Sequence, residues 1–158
     1  MLSISPDDVL SYINQALDGM VQVVEELGDA RVNLRPDLPG ANSPFALLTH
    51  CVGLTNYWLG AVLAGRQVHR DRDAEFQARG SVADIRQAVR HLQQQIRQDM
   101  PHVQGDQPIA HPLAPRHQQW QGQRQGAALL QCYKELAQHH GHMEITRDIL
   151  MHKPALAS

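Results

Sequence analysis

Cysteine is nearly absent, with two residues in 158, too few for a disulfide framework. Aromatic residues are sparse as well: two Trp, three Tyr and two Phe, scattered along the chain. Positive charge is not in excess, since 14 Lys and Arg stand against 16 Asp and Glu for a formal net charge of −2. Without a basic stripe or interleaved aromatics, nucleic-acid binding has little electrostatic support. The longest near-apolar run, 57–65, is too short to span a bilayer, so no membrane partner is expected. Ser5-Pro6-Asp7-Asp8 interrupts the apolar region that an export signal would need. These absences predict one soluble cytoplasmic domain over 1–158, with both thiols reduced. What is present is 42% hydrophobic residues, enough to close one core, and ten histidines.

Apolar residues recur with helical period in four segments. Ser5 is a cap for the first, with Pro6 at its first position and Asp7 and Asp8 where the helix dipole favours negative charge. Leu10, Ile13, Leu17, Met20, Val24 and Leu27 form its stripe, and Gly28 is a stop. Ser43 and Pro44 open the second, whose face reads Leu47, Cys51, Leu54, Trp58 and Ala61 and ends near Gly65. Ser81 with Asp84 resembles a capping box at the start of the third; Ile85, Val89, Leu92, Ile96 and Met100 follow, and Pro101 ends it. The fourth runs from about Gly126 to His152 through Leu129, Tyr133, Leu136, Met143 and Leu150. Period-two alternation is missing. The expected fold is all-α, a four-helix bundle with long connections between helices two and three (66–80) and three and four (101–124). The first connection carries His69 and Arg70-Asp-Arg-Asp73, which read as a solvated charge run or as the lining of a site mouth that binds an acidic group. The second, rich in Pro and Gln, reads as a solvated linker or as a lid or interface segment.

Some polar residues point inward. At 100° per residue, His50 falls between Leu47 and Leu54 on the apolar face of helix two. His139 lies about 40° from the centre of the helix-four stripe and Glu135, one turn earlier, about 80°. His142 sits nearer solvent and His140 on the opposite flank. One such histidine is ordinarily a hydrogen-bonded core residue, and Glu135 with His139 alone would be a solvated i, i+4 pair. Together, two imidazoles and a carboxylate from facing helices suit a divalent transition metal, and a buried carboxylate needs such a partner. Three protein ligands leave coordination positions open for chemistry. The spacing is not His-Glu-x-x-His, so a zinc-protease reading fails. Cys51 and Cys132 fall on inward faces as small hydrophobes.

At these residues the chain resembles the DinB-like superfamily of metalloenzymes, nearest the branch of mycothiol-dependent enzymes such as maleylpyruvate isomerase. The resembling stretches are 48–58 around His50, 68–76 from Val68 to Phe76, and 135–147 with Glu135, His139 and Gly141. Members carry one ligand histidine on the second helix and a ligand-x-x-x-His pair on the fourth, followed by glycine. The mycothiol-dependent ones have glutamate at the position of Glu135. The resemblance implies His50, Glu135 and His139 around one divalent ion, zinc or nickel, and a homodimer.

Two classes of function remain open on the sequence. The first is a metal-dependent enzyme acting on a small-molecule substrate, a thiol S-transferase or isomerase using a low-molecular-weight thiol, or else a hydrolase activating water. The second is a non-catalytic metal- or ligand-binding bundle related to stress. A fourth ligand from His142 would close the metal shell and favour that reading.

Overall fold

A computed structural model describes residues 4–152; the two ends of the 1–158 span lie outside it. Four long helices surround one core. Helix α1 covers Pro6–Arg31, and α2 covers Pro44–Thr55 and continues without a break as a π-helix over Asn56–Leu63. A single turn, α3, spans Arg72–Glu75, followed by α4 over Val82–Asp99 and α5 over Gln125–His152. No strand occurs among the described residues, only an isolated bridge between Pro108 and Arg124. The all-α expectation holds.

The helix starts follow from their caps. Ser5 and Ser81 each accept from the backbone N–H three residues on, and Asp8 and Asp84 each bond back to the cap N–H, so both capping boxes are complete. Ser43 caps α2 through Ala46 N–H. Gly28 breaks the α1 helix with φ 61°, a conformation that glycine adopts without penalty. One further turn then runs on to Arg31, and Val32 N–H bonds Gly28 C=O at 3.0 Å.

The second helix departs most from expectation. Its apolar part extends over Pro44–Leu63, 20 residues with mean hydropathy 1.2, long and apolar enough by composition to cross a membrane. The run 57–65 alone understated it because that run falls largely in the π segment, whereas the continuous helix begins at Pro44. Of its apolar window 72% is buried inside the protein, so its apolar surface is consumed by packing against α1, α4 and α5. The wide π turn closes on Arg66. Its guanidinium packs against Gly60, donates to Asn56 Oδ1 at 2.6 Å, and forks onto the buried Asp99 carboxylate, Nε on Oδ1 and Nη2 on Oδ2, each at 2.9 Å.

The 101–124 connection is neither a solvated linker nor an open lid. Val103, Ile109 and Leu113 join the core. A buried connection must satisfy its backbone groups, and glutamines do much of this. Gln118, Gln121 and Gln125 side chains donate to the carbonyls of Leu113, Ile109 and Pro108. A 3₁₀ segment, Pro115–Trp120, lays Trp120 edge-on to Trp58 at 5.6 Å and sets His117 against Trp58 at 5.0 Å and Tyr57 at 5.1 Å. Trp120, 62 residues on in sequence, is thereby brought to Trp58 of the π-helix.

Candidate functional site

His50 and His139 come together from α2 and α5. Their rings lie 5.0 Å apart, centroid to centroid, inclined at 74°. His50 is buried, at 5% exposure, and His139 is half-buried. Burial first, and then the neighbouring His50, push the His139 pKa below the ordinary imidazole range, so this ring is neutral at neutral pH. Neutral imidazole is the ligand form.

Glu135 lies one turn before His139 on α5, half-buried, with its carboxylate turned aside. Its Oε1 accepts from Gln131 Nε2 at 2.9 Å and pairs with Lys134 Nζ at 3.1 Å. As the side chains stand, no three His, Cys, Asp or Glu residues among those described converge as a ready metal set. A pair whose side chains are 53% and 29% exposed is held weakly, at about 1 kcal/mol or less. A rotamer change at Glu135 therefore costs little. With two imidazoles already adjacent, one of them held neutral, and a carboxylate one helical turn away, the donor chemistry fits a divalent cation.

The remaining sequence candidates separate clearly. His142 is exposed, and His140 lies across Gly19 of α1, where any Cβ would collide with its ring. Cys51 and Cys132 are fully buried free thiols. Burial, reinforced by their negative neighbours, pushes Cys51 far above the thiol range and Cys132 up to about 12. Both are protonated at neutral pH, and a protonated thiol is a poor nucleophile.

Arg70 corrects the reading of 70–73 as a solvated charge run. Asp71, Arg72 and Asp73 are exposed, but the Arg70 side chain is only 7% exposed and runs inward to the buried Glu75. Asp71 caps α3 by accepting from the N–H groups of Asp73 and Ala74. That turn brings Glu75 under α2, where its Oε2 lies 2.9 Å from His50 Nδ1. Arg70 grips the same carboxylate with Nε on Oε1 at 2.8 Å and Nη2 on Oε2 at 3.0 Å. Burial alone would raise the Glu75 carboxyl, but hydrogen bonds from His50 and Arg70 outweigh it and hold its pKa below the usual value. Phe76, next in sequence, stacks on the His50 ring at 4.4 Å. Sequence reading gave Glu75 and Phe76 no role, because their partner is 25 residues away.

His117 was also not anticipated. Its Nδ1 is buried without a hydrogen-bond partner, and burial lowers its pKa. Two adjoining cavities, about 680 and about 550 Å³, share Tyr57, Val68 and His69. The smaller is bordered by Arg70, already paired with Glu75, and by the exposed Arg116. Neither is lined by His50 or His139.

With this geometry in view, comparison with known proteins places the chain. The family model described as Mycothiol-S-transferase matches residues 8–151. No curated protein and no solved structure matches.

Proposed function

The chain belongs to the mycothiol-S-transferase family, a DinB-like family, and from that premise we propose that it joins a low-molecular-weight thiol to a small electrophilic substrate. The observation that carries this reading is the adjacency of His50 and His139 on facing helices, with Glu135 one turn away. These three residues would hold one divalent ion, zinc or nickel. Such an ion lowers the pKa of a thiol bound to it and keeps the sulfur as thiolate at neutral pH. The chain's own residues do the rest. Burial of His50 excludes water from the side of the ligands that faces the core. Arg116, at the neighbouring cavity, offers positive charge to a polar part of the thiol or of its acceptor.

The nucleophilic sulfur belongs to the incoming thiol and not to the protein, because both protein thiols are buried and protonated. Cys51→Ala and Cys132→Ala are expected to keep turnover within a few-fold of wild type, with a modest packing loss. The assay is consumption of an electrophile with mycothiol, bacillithiol and glutathione supplied in turn. A Cys132→Ala protein that keeps its metal and loses turnover would overturn the external-thiol reading. If no thiol supports turnover, a hydrolase or a binding module becomes the better account.

Metal content gives a second test. Protein purified without chelator should carry about one divalent ion per chain, since the three ligands form one site. Protons compete with the ion for the imidazoles. Occupancy should hold at pH 7 and fall as the pH drops below about 6, near the free-histidine pKa. The lowered pKa of His139 delays that ring's protonation to the acid side of the ordinary value, so the loss is not expected above it. Affinity unchanged at pH 5 would show that histidines are not the ligands.

A further inference from the structure

We infer that Glu75 is the positioning residue of the site: held by Arg70 and seated against Gly53, it fixes the ring orientation and tautomer of His50. The inference rests on the metal-site reading above, and it assigns work to a part of the chain that reading does not need. A carboxylate gripped twice by a guanidinium has only lone pairs to offer. Its Oε2 can approach His50 Nδ1 to 2.9 Å only if that nitrogen carries the proton and donates it. The Arg70 Nη2 contact to the same nitrogen is longer, 3.4 Å, and that group already donates to Glu75 at 3.0 Å. Nδ1–H therefore belongs to Glu75, and Nε2 on the far edge of the ring is left as the one lone pair able to take a cation. Histidine ligands of metals commonly use their second nitrogen in this way, which fixes the tautomer and raises ligand basicity.

Three further observations show that the arrangement is built. Phe76 lies flat on the imidazole, 25° from parallel at 4.4 Å, and so limits its rotation. Glu75 and the Arg70 side chain are buried, although each belongs to a residue type that is almost always exposed. Gly53, mid-helix in α2, leaves the space that Glu75 occupies: a Cβ there would strike Glu75 Oε1 and crowd its carboxyl carbon. Alanine is ordinarily the better residue inside a helix. Here the position one turn after His50 instead lets an acidic side chain lie against the helix.

The decisive measurement is made on the full chain without metal. Long-range ¹H–¹⁵N correlation of the imidazole nitrogens reads which one carries the proton. Wild type is expected to show His50 as the Nδ1–H tautomer. Glu75→Gln, whose side-chain oxygen can still accept, should keep it, and Glu75→Ala should lose it. Zinc affinity, measured by competition with a chelator, should fall about 10- to 100-fold in Glu75→Ala and less in Glu75→Gln. Gly53→Ala should lower zinc affinity in the wild-type background but add nothing in the Glu75→Ala background, because the two act through one contact. A His50 protonated on Nε2 in wild type, or full zinc affinity in Glu75→Ala, overturns the inference. If Glu75→Ala does not fold, wild type, Glu75→Gln and Gly53→Ala decide it alone. If wild type binds no zinc at all, the metal reading fails, while the tautomer result still decides what Glu75 does.

Discussion

His139→Ala and Glu135→Ala should each lower kcat/KM for thiol transfer by about 10²- to 10³-fold, as expected when several kcal/mol of charge stabilisation at a metal is removed. His50→Ala should match them. The three act as one unit, so any double substitution should cost little more than the worst single one. His142→Ala tests the other side of the argument: its side chain is exposed, away from the paired rings, and turnover should change by less than a few-fold. Glu135 carries the sharper test, because its carboxylate now faces Gln131 and Lys134. If it swings to the ion, Gln131→Ala and Lys134→Ala should leave activity intact, and removing these contacts should not weaken metal binding. Steady-state kinetics with elemental analysis of each variant checks the set. A Glu135→Ala protein with full metal and full turnover would remove Glu135 from the site and leave the two histidines.

Much of the fold was legible because its signals are local. Ser5 with Asp8 and Ser81 with Asp84 are capping boxes four residues long, and both form as the sequence implies. The same 100° rule that placed the stripes placed His50 and His139 inward, and the structure pairs them. The rule also set His142 outside and left Glu135 at the edge of the stripe, where it is half-buried. What escaped depends on distance along the chain. Glu75 looks like one more charge in a polar connection until α3 brings it to a helix 25 residues earlier. Gly53 looks like a weak point in a helix until the carboxylate it accommodates is known. The π-helix over Asn56–Leu63 has no periodicity of its own strong enough to announce it. It is held by Arg66 reaching Asn56 and Asp99, the latter 33 residues away. The glutamines Gln118, Gln121 and Gln125 read as polar linker because their backbone partners lie 5 to 17 residues off, beyond any local turn pattern.

Trp58→Ala should be among the most destabilising single changes in the protein, by about 3–5 kcal/mol. The side chain is 1% exposed and is one of the largest that is fully buried. Three rings meet it: Tyr57 at 5.5 Å, His117 at 5.0 Å and Trp120 at 5.6 Å. Truncation removes the apolar surface of the indole and leaves a cavity that a π-helical turn, fixed by Arg66, is poorly able to close. The effect should spread unevenly. The 3₁₀ segment Pro115–Trp120 meets the π-helix through His117 and Trp120, so its amides should gain hydrogen exchange before those of α1 or α4 do. Trp58→Phe keeps a ring in place and should lose markedly less. Trp120→Ala, at a half-buried position, should also cost less and should loosen the same segment. Urea denaturation gives the free energies and exchange mass spectrometry the location. If Trp58→Ala costs under about 1 kcal/mol, the site has collapsed and the cavity argument is wrong. If the loss is large but exchange rises uniformly, the 115–120 segment is not held chiefly by this ring. In the expected case it loosens first, and the wall of the cavity beside Arg70 and Arg116 loosens with it, so KM for the thiol or the electrophile should rise in Trp120→Ala while metal content stays at wild type.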